Sequence, residues 1–347
     1  MNDRAITPRK NELSPLLTSA GQAANEAARA STFTDYRSRK ANSTIARQDA
    51  DLATFATYLA QATGSDAITG NDLARDPHTW CGITWGLVDG FVKWALLQEY
   101  AVGTVNLKLS TVKTYCKLAA RAGAVSSQEL ALIRSVSSYS RKEGKRIDER
   151  RAQSDIATRS GSKKRDPIVL NKSQAGELKA QPDTPQGRRD RLLVCLMLDL
   201  GLRRSEVAGL TVDCVDLQAG ELTFYRQKVD IEQTHSLING LQKAMSAYLA
   251  NDAPGSGPLL RSSRKGGHLT QAGMSERAIT ARVRYLGERI GITGLSPHDL
   301  RHTWATLAVR NGTPLDRLQD AGGWASLAMP MRYVEAAKVA NQGVVLE

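Results

Sequence analysis

The sequence carries three short motifs whose residue types could bind and attack a phosphodiester. They are GLRRSE at 201–206, HDLRH at 298–302 and GGWASLAMPMRY at 322–333. His298 and Arg301 are three residues apart in a predicted helix, so they lie on one face, about 4.5 Å apart along its axis. A phosphodiester under attack becomes pentacoordinate and dianion-like, and a planar, permanently charged guanidinium can grip two of its oxygens. We therefore expect Arg203 and Arg301, from two helix starts, to clamp the non-bridging oxygens.

Each motif alone is common in proteins without this chemistry, and it is their order along the chain that narrows the interpretation. Together they resemble the tyrosine recombinase (phage integrase) family. The hallmark of that family is an Arg in a GLR-x-x-E motif, a β-hairpin Lys, an H-x-x-R pair, a later His or Trp, and a Tyr nucleophile. The resemblance extends over about residues 35 to 347. The segment TVNLKLSTVKTYCKLAARAG at 104–123 looks like part of the family's core-binding domain, and residues 165–347 look like its catalytic domain.

The resemblance implies a mainly α fold with a small antiparallel β-sheet in the C-terminal domain. An all-helical core-binding domain would precede a mixed α+β catalytic domain. The implied activity is site-specific DNA recombination through a covalent 3′-phosphotyrosine intermediate, without ATP, a metal ion or another cofactor. The expected partner is double-stranded DNA that contains a specific recombination site. Such recombination needs two duplexes and four active sites, so we expect monomers in solution and a homotetramer on synapsed DNA.

Carried over residue by residue, the resemblance makes Tyr333 the nucleophile, His298 the general acid/base near it, and Arg203 and Arg301 the phosphate clamp. Trp324 stands where the family more often has a His in an LGH motif. An indole N–H can donate one hydrogen bond to a phosphate oxygen, but it cannot carry a proton. Trp324 is therefore expected to position the phosphate, with simple aromatic packing as the alternative.

Lys228 is expected to be the proton donor to the 5′-oxygen leaving group, and Lys265 is the competing candidate. Lys228 follows the predicted strand LTFYRQ where it meets a hairpin turn, whereas Lys265 lies in RSSRKGGH, which also suits a loop that contacts phosphates. Glu206 resembles the family's acid that braces the active-site arginines, or it is a first-turn acid that stabilises its helix. His302 is expected to be structural.

The pattern of apolar residues places these motifs in a second domain. Because single cores rarely exceed roughly 250 residues, the 347-residue chain is predicted to hold two domains. We expect a flexible arm over 1–34, a helical DNA-binding domain over 35–140, a basic linker over 141–165 and the catalytic domain over 166–347. Within that last domain we predict strands at 222–227 and 234–238, a helix that begins at Ser296 and Pro297, and further helices elsewhere.

The charge of the chain favours a polyanionic partner. Lys and Arg number 47 against 35 Asp and Glu, and the segment 141–165 holds ten basic residues against four acidic ones. That segment is predicted to lie along a phosphate backbone, although its first ten residues also suit the solvated end of the preceding helix. The candidate DNA contacts are Lys108, Lys113, Arg141, Lys142, Lys145, Arg146, Lys163, Lys164, Arg165, Arg264 and Lys265.

Other protein classes fit the sequence less well. The apolar run from Leu192 to Leu202 is too short to cross a membrane and contains Asp199. The N-terminus lacks the apolar region of a secretion signal, and the four cysteines lack metal or disulfide spacing. We expect a cytoplasmic protein, associated with the nucleoid in a bacterium. The alternatives are a type IB topoisomerase, a non-catalytic DNA-binding protein and a metal-dependent nuclease.

Overall fold

The computed structural model describes residues 15–158, 167–252 and 255–337. The chain divides into two compact units, Met1–Lys163 and Lys164–Glu347. Each unit has its own apolar core. Among the described helices, none combines the length and the apolar composition that crossing a bilayer requires.

Every regular element described in the first unit is helical. The α-helices are α1 (Pro15–Ser38), α2 (Asn42–Thr63), α3 (Gly70–Arg75), α4 (Trp85–Leu97), α5 (Val102–Ala122), α6 (Ser127–Ser135) and α7 (Arg141–Gln153), and a 3₁₀ turn spans Pro77–Trp80. Stacked and edge-on aromatic rings form the centre of the core, where Phe55 contacts Trp80 and Phe91 at centroid distances of 5.9 and 4.9 Å. The helices that the apolar periodicity predicts for this part of the chain therefore pack around a common core.

The prediction of a flexible arm over residues 1–34 is wrong for residues 15–34, which belong to helix α1. The last turns of α1 pack on α5, where Phe33 meets the ring of Tyr115 at 5.5 Å and is 2% exposed. Arg37 adds an ion pair to Asp49 at 2.6 Å. Alanine is the strongest helix former, so an alanine-rich segment with few large apolar residues forms a helix once one end is anchored. Residues 1–14 lie outside the described part.

The prediction of a linker over 141–165 is wrong for its first half, which forms helix α7. Ser140 and Glu143 make a capping box at its start, in which each side chain accepts from the other residue's backbone N–H. At its end the buried guanidinium of Arg151 donates to the carbonyl oxygens of Leu96 and Tyr100. The cap starts a new helix and Arg151 ties its end to the end of α4, so α7 is an integral helix of the first unit and not the continuation of α6. Residues 159–166 lie outside the described part.

The second unit is mixed α+β. Its helices are α8 (Lys172–Lys179), α9 (Pro185–Asp199), α10 (Arg204–Gly209), α11 (Asn239–Asn251), α12 (Glu276–Arg289), α13 (Pro297–Arg310), α14 (Leu315–Gly322) and α15 (Ala328–Ala337). Its strands are β1 (Val215–Asp216), β2 (Glu221–Arg226), β3 (Ile231–Ser236), β4 (Arg261–Ser263) and β5 (Leu269–Gly273). The sheets are antiparallel, with orders β1-β2-β3 and β4-β5. The mainly helical fold with a small antiparallel sheet is the predicted one.

Helix α9 is the centre of this unit. Its apolar side chains from Leu192 to Leu198 are buried on all sides, as the sequence predicts. The chain then turns at Gly201, whose φ of +62° belongs to the left-handed region that glycine tolerates. A Cβ on Gly201 would also lie 2.2 Å from the ring of Trp304. The turn therefore requires glycine, and it aims Arg203 at the start of α10.

Two predicted details of the sheets differ from the structure. Strand β3 begins at Ile231, three residues before the prediction, and pairs with all of β2 in the register Leu222↔His235. The predicted all-helical region after β3 contains the β4–β5 hairpin, which the sequence pattern does not reveal. Its strands are short and polar, so they lack the period-two apolar pattern that predicts a strand.

Helix α13 forms as predicted. Ser296 is the N-cap, its hydroxyl accepts from the backbone N–H of Asp299, and Pro297 occupies the first turn. The helix ends at Arg310 with Asn311 as its C-cap. A start fixed in this way sets the rotation of the helix, and with it the direction in which His298 and Arg301 project.

Candidate active site

One open pocket in the second unit collects the residues predicted to do the chemistry. It has a volume of about 720 Å³. Its lining includes the start of α10, the turn of the β2–β3 hairpin, the start of α13, and the segment from the end of α14 into α15. The predicted catalytic residues that line it are Arg203, Lys228, His298, Arg301, Trp324 and Tyr333. Segments up to 130 residues apart in sequence therefore converge on a single site.

Arg203 is held by an acid and by a backbone carbonyl. Its Nη1 donates to Glu206 Oε1 at 2.7 Å, and its Nη2 donates to the Gly323 carbonyl oxygen at 2.7 Å. The other carboxylate oxygen of Glu206 accepts from the Arg203 backbone N–H at 2.7 Å. The two alternatives for Glu206 thus occur together, since its carboxylate both caps helix α10 and holds the guanidinium of Arg203.

Arg301 is buried, with an exposed fraction of 4%. Its Nη1 donates to the Gly201 carbonyl oxygen and its Nη2 to that of Gly322. Burial, together with the nearby charge of Arg203, lowers the pKa of Arg301 to about 10. The guanidinium is still protonated at neutral pH, and its lowered pKa reflects mainly the loss of hydration on burial.

A third arginine, Arg226, lies behind the pocket and is not among the residues that the motifs identify. Its side chain is 0% exposed, and its pKa is lowered, first of all by burial. Strand β2 alternates between exposed and buried side chains, and Arg226 follows Leu222 and Phe224 on the buried face. An arginine on the core face of an alternating strand must find partners inside the protein. That alternation is the signal that could have identified it.

The three guanidiniums meet the carbonyl end of α14. Arg226 donates to the carbonyl oxygens of Ala321 at 2.8 Å and Gly322 at 3.0 Å, next to the Gly322 and Gly323 carbonyls held by Arg301 and Arg203. The last carbonyls of a helix have no partner within the helix and carry partial negative charge. The arginines therefore satisfy these carbonyls and fix the GGW segment in place.

Tyr333 projects from α15 into the pocket and is 3% exposed. Burial raises the pKa of its phenol, and the neighbouring cation of Arg301 opposes that rise. Its ring contacts His302 at a centroid distance of 4.9 Å, and His302 in turn contacts His298 at 4.8 Å. His302, expected to be structural, is thus the histidine whose ring touches the candidate nucleophile.

Partial desolvation lowers the pKa of His298 despite the opposing charge of Asp299. His298 is consequently neutral at pH 7 and able to accept a proton. It lines the pocket. Trp324 covers the guanidinium of Arg301, whose Cζ lies 4.6 Å from a ring centroid of the indole, and it meets the Tyr333 ring at 5.7 Å.

The structure separates the two candidate lysines. Lys228 is exposed in the β2–β3 turn and lines the pocket. Lys265 is exposed in the turn between β4 and β5 and is not among the residues that line it. Lys228, and not Lys265, therefore lies with the other predicted catalytic residues.

The candidate DNA contacts differ in their surroundings. Lys108 is 6% exposed, donates to Thr54 at 2.8 Å and pairs with Asp51 at 3.4 Å. The prediction that Lys108 is a surface DNA contact is wrong, because its ammonium group is bound inside the first unit. Lys113 is half-buried and donates to the carbonyls of Arg134 and Val136. The exposed candidates are Arg141, Lys142, Lys145, Arg146, Arg264 and Lys265, while Lys163, Lys164 and Arg165 lie outside the described part.

Comparison with known proteins concerns mainly the second unit. Residues 169–339 match the family model described as the phage integrase family. These residues lie in the second unit, which therefore carries a domain that matches the phage integrase family. Similar curated proteins include tyrosine recombinase XerD of Neisseria meningitidis serogroup B, 34% identical over 187 residues. Tyrosine recombinase XerC of Xylella fastidiosa strain M23 is 31% identical over 173 residues. These matches cover 52% and 48% of this chain, and 62% and 55% of the relatives, so the chain spans less than two thirds of the length of these curated relatives.

Solved structures of an integrase and of a recombinase share the fold. The Tn1549 transposon integrase in complex with a circular intermediate DNA aligns with a TM-score of 0.54 at 12% identity. The alignment covers 81% of this chain and 94% of that one. XerH site-specific recombinase bound to a palindromic difH substrate aligns with a TM-score of 0.50 at 17% identity, covering 82% and 75%. At these identities the likeness concerns the fold alone.

Proposed function

We propose that this protein is a site-specific DNA recombinase that cleaves and rejoins strands through a covalent 3′-phosphotyrosine at Tyr333. The observation that carries the proposal is the shared pocket of the phenol, two arginines, a neutral histidine and a lysine. This set supplies a nucleophile, an anion clamp, a base and an acid. Within the described residues, no group of three or more His, Cys, Asp or Glu side chains is arranged to hold a metal ion.

The clamp can bind one phosphate without losing its internal contacts. A guanidinium has five N–H donors, and Arg203 and Arg301 each donate through two nitrogen atoms to protein oxygens. The remaining N–H groups are free to donate to the non-bridging oxygens of a phosphodiester. One carboxylate, Glu206, pairs with both Arg203 and Arg226. The arginines of the clamp therefore suit a phosphate anion, and the attacked, more negative species is bound more tightly still.

Cleavage follows as an in-line displacement at phosphorus. The Tyr333 oxygen bonds to phosphorus while the bond between phosphorus and the 5′-oxygen breaks. The raised pKa of Tyr333 keeps the phenol protonated at neutral pH, so a base is required, and neutral His298 takes the proton. Lys228 gives a proton to the departing 5′-oxygen. Rejoining reverses each transfer, and the phosphotyrosine conserves the bond energy, so no nucleotide cofactor is consumed.

The proposed partner is duplex DNA with a specific recombination site, and the proposed active assembly is a homotetramer formed from monomers on two synapsed duplexes. The formal charge of +12 supports a polyanionic partner. The structures of the Tn1549 integrase and of XerH were determined with DNA, and we carry that partner over to this chain as part of the proposal. We also propose that it acts in the cytoplasm.

Covalent capture tests the proposed function and identifies the target site in the same experiment. The protein is incubated with a random-sequence library of nicked DNA duplexes, in which the short cleaved fragment diffuses away and leaves the adduct trapped. Adducts that survive detergent are recovered and sequenced. With the wild-type protein we expect adducts that share one recurrent sequence, and we expect them to form even in the presence of EDTA. Tyr333→Phe should form no adduct, although it still binds DNA.

The alternatives give different results in the same experiment. A DNA-binding protein without catalysis forms no adduct in either form, and a metal-dependent nuclease loses cleavage in EDTA. A type IB topoisomerase forms the adduct, but it does not exchange strands between two labelled duplexes that carry the recovered sequence. Strand exchange between those duplexes is the result that we expect.

A further inference from the structure

Arg226 makes more polar contacts around the active site than the two clamp arginines, yet it does not line the pocket. Its Nη1 lies 3.3 and 3.5 Å from the two carboxylate oxygens of Glu206 and donates to the Gly322 carbonyl at 3.0 Å. Its Nη2 donates to the Ala321 carbonyl at 2.8 Å and lies 3.1 Å from Nε2 of His235. One guanidinium thus contacts strand β3, the end of α14 and Glu206, the acid that pairs with Arg203.

These partners are the groups that place the clamp. Glu206 holds Nη1 of Arg203, and the Gly322 carbonyl is shared between Arg226 and Arg301. The residue after Gly323 is Trp324, whose indole covers Arg301 and contacts the nucleophile's ring. Moving Arg226 would therefore disturb both arginines of the clamp and the indole, although none of its own atoms reaches the substrate side.

The backbone of the GGW segment is shaped around this guanidinium. Gly323 has a φ of +55°, and a Cβ at that position would lie 2.6 Å from Nη1 and 2.7 Å from Cδ of Arg226. Any larger residue at position 323 would therefore collide with the buried arginine. The second glycine of the motif is needed because Arg226 lies against it.

His235 supports the same arrangement. Burial, and next the charge of Arg226, lower the pKa of His235 to about 4, so the ring is neutral at neutral pH. Because a guanidinium only donates, Nε2 of His235 is the acceptor and its proton resides on Nδ1. Phe224 lies under the guanidinium, with Arg226 Cζ 4.9 Å from its ring centroid. The arginine is thus held on its strand side by a neutral acceptor and an aromatic face.

We propose that Arg226 is a positioning residue for DNA cleavage: it locks Glu206 and the carbonyl end of α14 so that Arg203, Arg301 and Trp324 surround the phosphate attacked by Tyr333. The inference rests on the proposed recombinase function and adds to it a residue outside the pocket. It predicts that loss of Arg226 slows the cleavage step and leaves DNA binding largely intact, since binding depends on many phosphate contacts and cleavage on the geometry at one.

The test compares Arg226→Met and Arg226→Lys with a matched control in the same unit. Arg189 is equally buried at 1% exposure and pairs with Asp190 at 2.8 Å, outside the pocket, so Arg189→Lys reports the general cost of altering a buried arginine. The substrate is a nicked duplex carrying the sequence recovered in wild-type adducts. We measure the dissociation constant, the folded fraction by circular dichroism, and the single-turnover rate constant of adduct formation at saturating protein.

We expect Arg226→Met to slow adduct formation by about 100-fold, the loss typical of a misplacement of about 1 Å, with a dissociation constant within about threefold of wild type. Arg226→Lys keeps the charge and should regain about tenfold of that loss, because an ammonium group reaches fewer of the partners. Arg189→Lys should cleave at the wild-type rate once corrected for folded fraction. If Arg226→Met does not fold, Gly323→Ala provides the second route, since its methyl group displaces the same guanidinium, and it should also slow cleavage at unchanged affinity.

Folded Arg226→Met or Gly323→Ala protein that forms adduct at the wild-type rate would overturn the inference. So would an equal slowing of Arg189→Lys, because the effect would then belong to any buried arginine. Absence of adduct with the wild-type protein is a separate outcome: it refutes the proposed function, and the inference with it.

Discussion

Replacing Gly322 by alanine places a methyl group against the indole of Trp324. A Cβ built on Gly322 lies 2.3 Å from both Cε3 and Cζ3 of that ring. Ordinary van der Waals contact begins near 3.4 Å, so the ring must retreat by about 1 Å. Gly322 ends helix α14 and its φ is not positive, so this substitution adds bulk without straining the backbone.

The displacement acts on the reacting groups directly. Trp324 lies 4.6 Å from Arg301 Cζ and 5.7 Å from the Tyr333 ring, so a shift of about 1 Å changes the placement of both. A misplacement of this size costs about 100-fold in rate, which corresponds to about 2.7 kcal/mol in activation free energy. Overpacking also lowers the free energy of unfolding by about 1–3 kcal/mol. We therefore expect a folded protein that binds DNA and cleaves it about 100-fold more slowly.

The assay is single-turnover adduct formation on a nicked duplex, with thermal melting as the measure of stability. Gly176→Ala is the matched control, because Gly176 lies in α8 of the same unit and a Cβ there meets nothing within 4 Å. That variant should cleave at the wild-type rate and melt at the same or a slightly higher temperature. Cleavage by Gly322→Ala within threefold of wild type would refute the argument that Trp324 positions the phosphate.

Three further outcomes follow from the site. Because the pKa of His298 is lowered below its usual 6.5, the wild-type cleavage rate should fall as the pH drops through that lowered value and the base becomes protonated. His298→Gln should abolish this acid limb and His302→Phe should keep it, whereas an unchanged profile in His298→Gln would exclude His298 as the base. Lys228→Ala should slow cleavage of an ordinary strand but not of one with sulfur at the 5′-leaving position, since a thiolate leaves without protonation. Lys265→Ala should cleave both strands at the wild-type rate. If Lys265→Ala were slow on the ordinary strand and regained its rate on the sulfur-containing strand, while Lys228→Ala cleaved normally, the assignment of the two lysines would be reversed. DNA affinity should fall steeply with salt, and Arg141→Ala should reduce the slope of log K against log salt by about one; an unchanged slope would remove α7 from the DNA contacts.

The parts of the site that the sequence predicts are those that local rules determine. Ser296 and Pro297 fix the start of α13, so the three-residue spacing of His298 and Arg301 gives their shared face directly. The glycine after α9 similarly marks the turn that presents Arg203. In each case a motif of a few residues contains both the residue that fixes the helix end and the functional side chain. What the structure adds is mainly that these motifs meet in one pocket.

The parts that the sequence does not reveal depend on partners far along the chain. Arg226 bonds to carbonyls 95 and 96 residues away, and backbone carbonyls carry no residue type that a motif can show. The requirement for glycine at 322 and 323 likewise arises from the Trp324 ring and the Arg226 guanidinium. Only the alternation of β2, which places an arginine on the buried face, gives a local sign of this network.

Composition misled the predictions at both ends of the first unit. The alanine-rich α1 offers little apolar surface, which predicts an arm, yet Phe33 and Arg37 anchor its end on α5 and α2. The charge density of the run that forms α7 predicts a linker, although the capping box of Ser140 and Glu143 marks a helix start in the sequence itself. Capping residues therefore predict this helix better than charge density does.

The central claim is that Tyr333 attacks a phosphate held by Arg203 and Arg301, and peptide mapping of the trapped adduct tests it most directly. Trypsin cleaves after Arg332, so the adduct can be located by mass spectrometry on the peptide that begins at Tyr333. We predict a 3′-phosphonucleotide on that tyrosine, with its yield lost in Arg203→Ala and in Arg301→Ala. A 5′-linked nucleotide, an adduct on another residue, or DNA cleavage without any adduct would contradict the account.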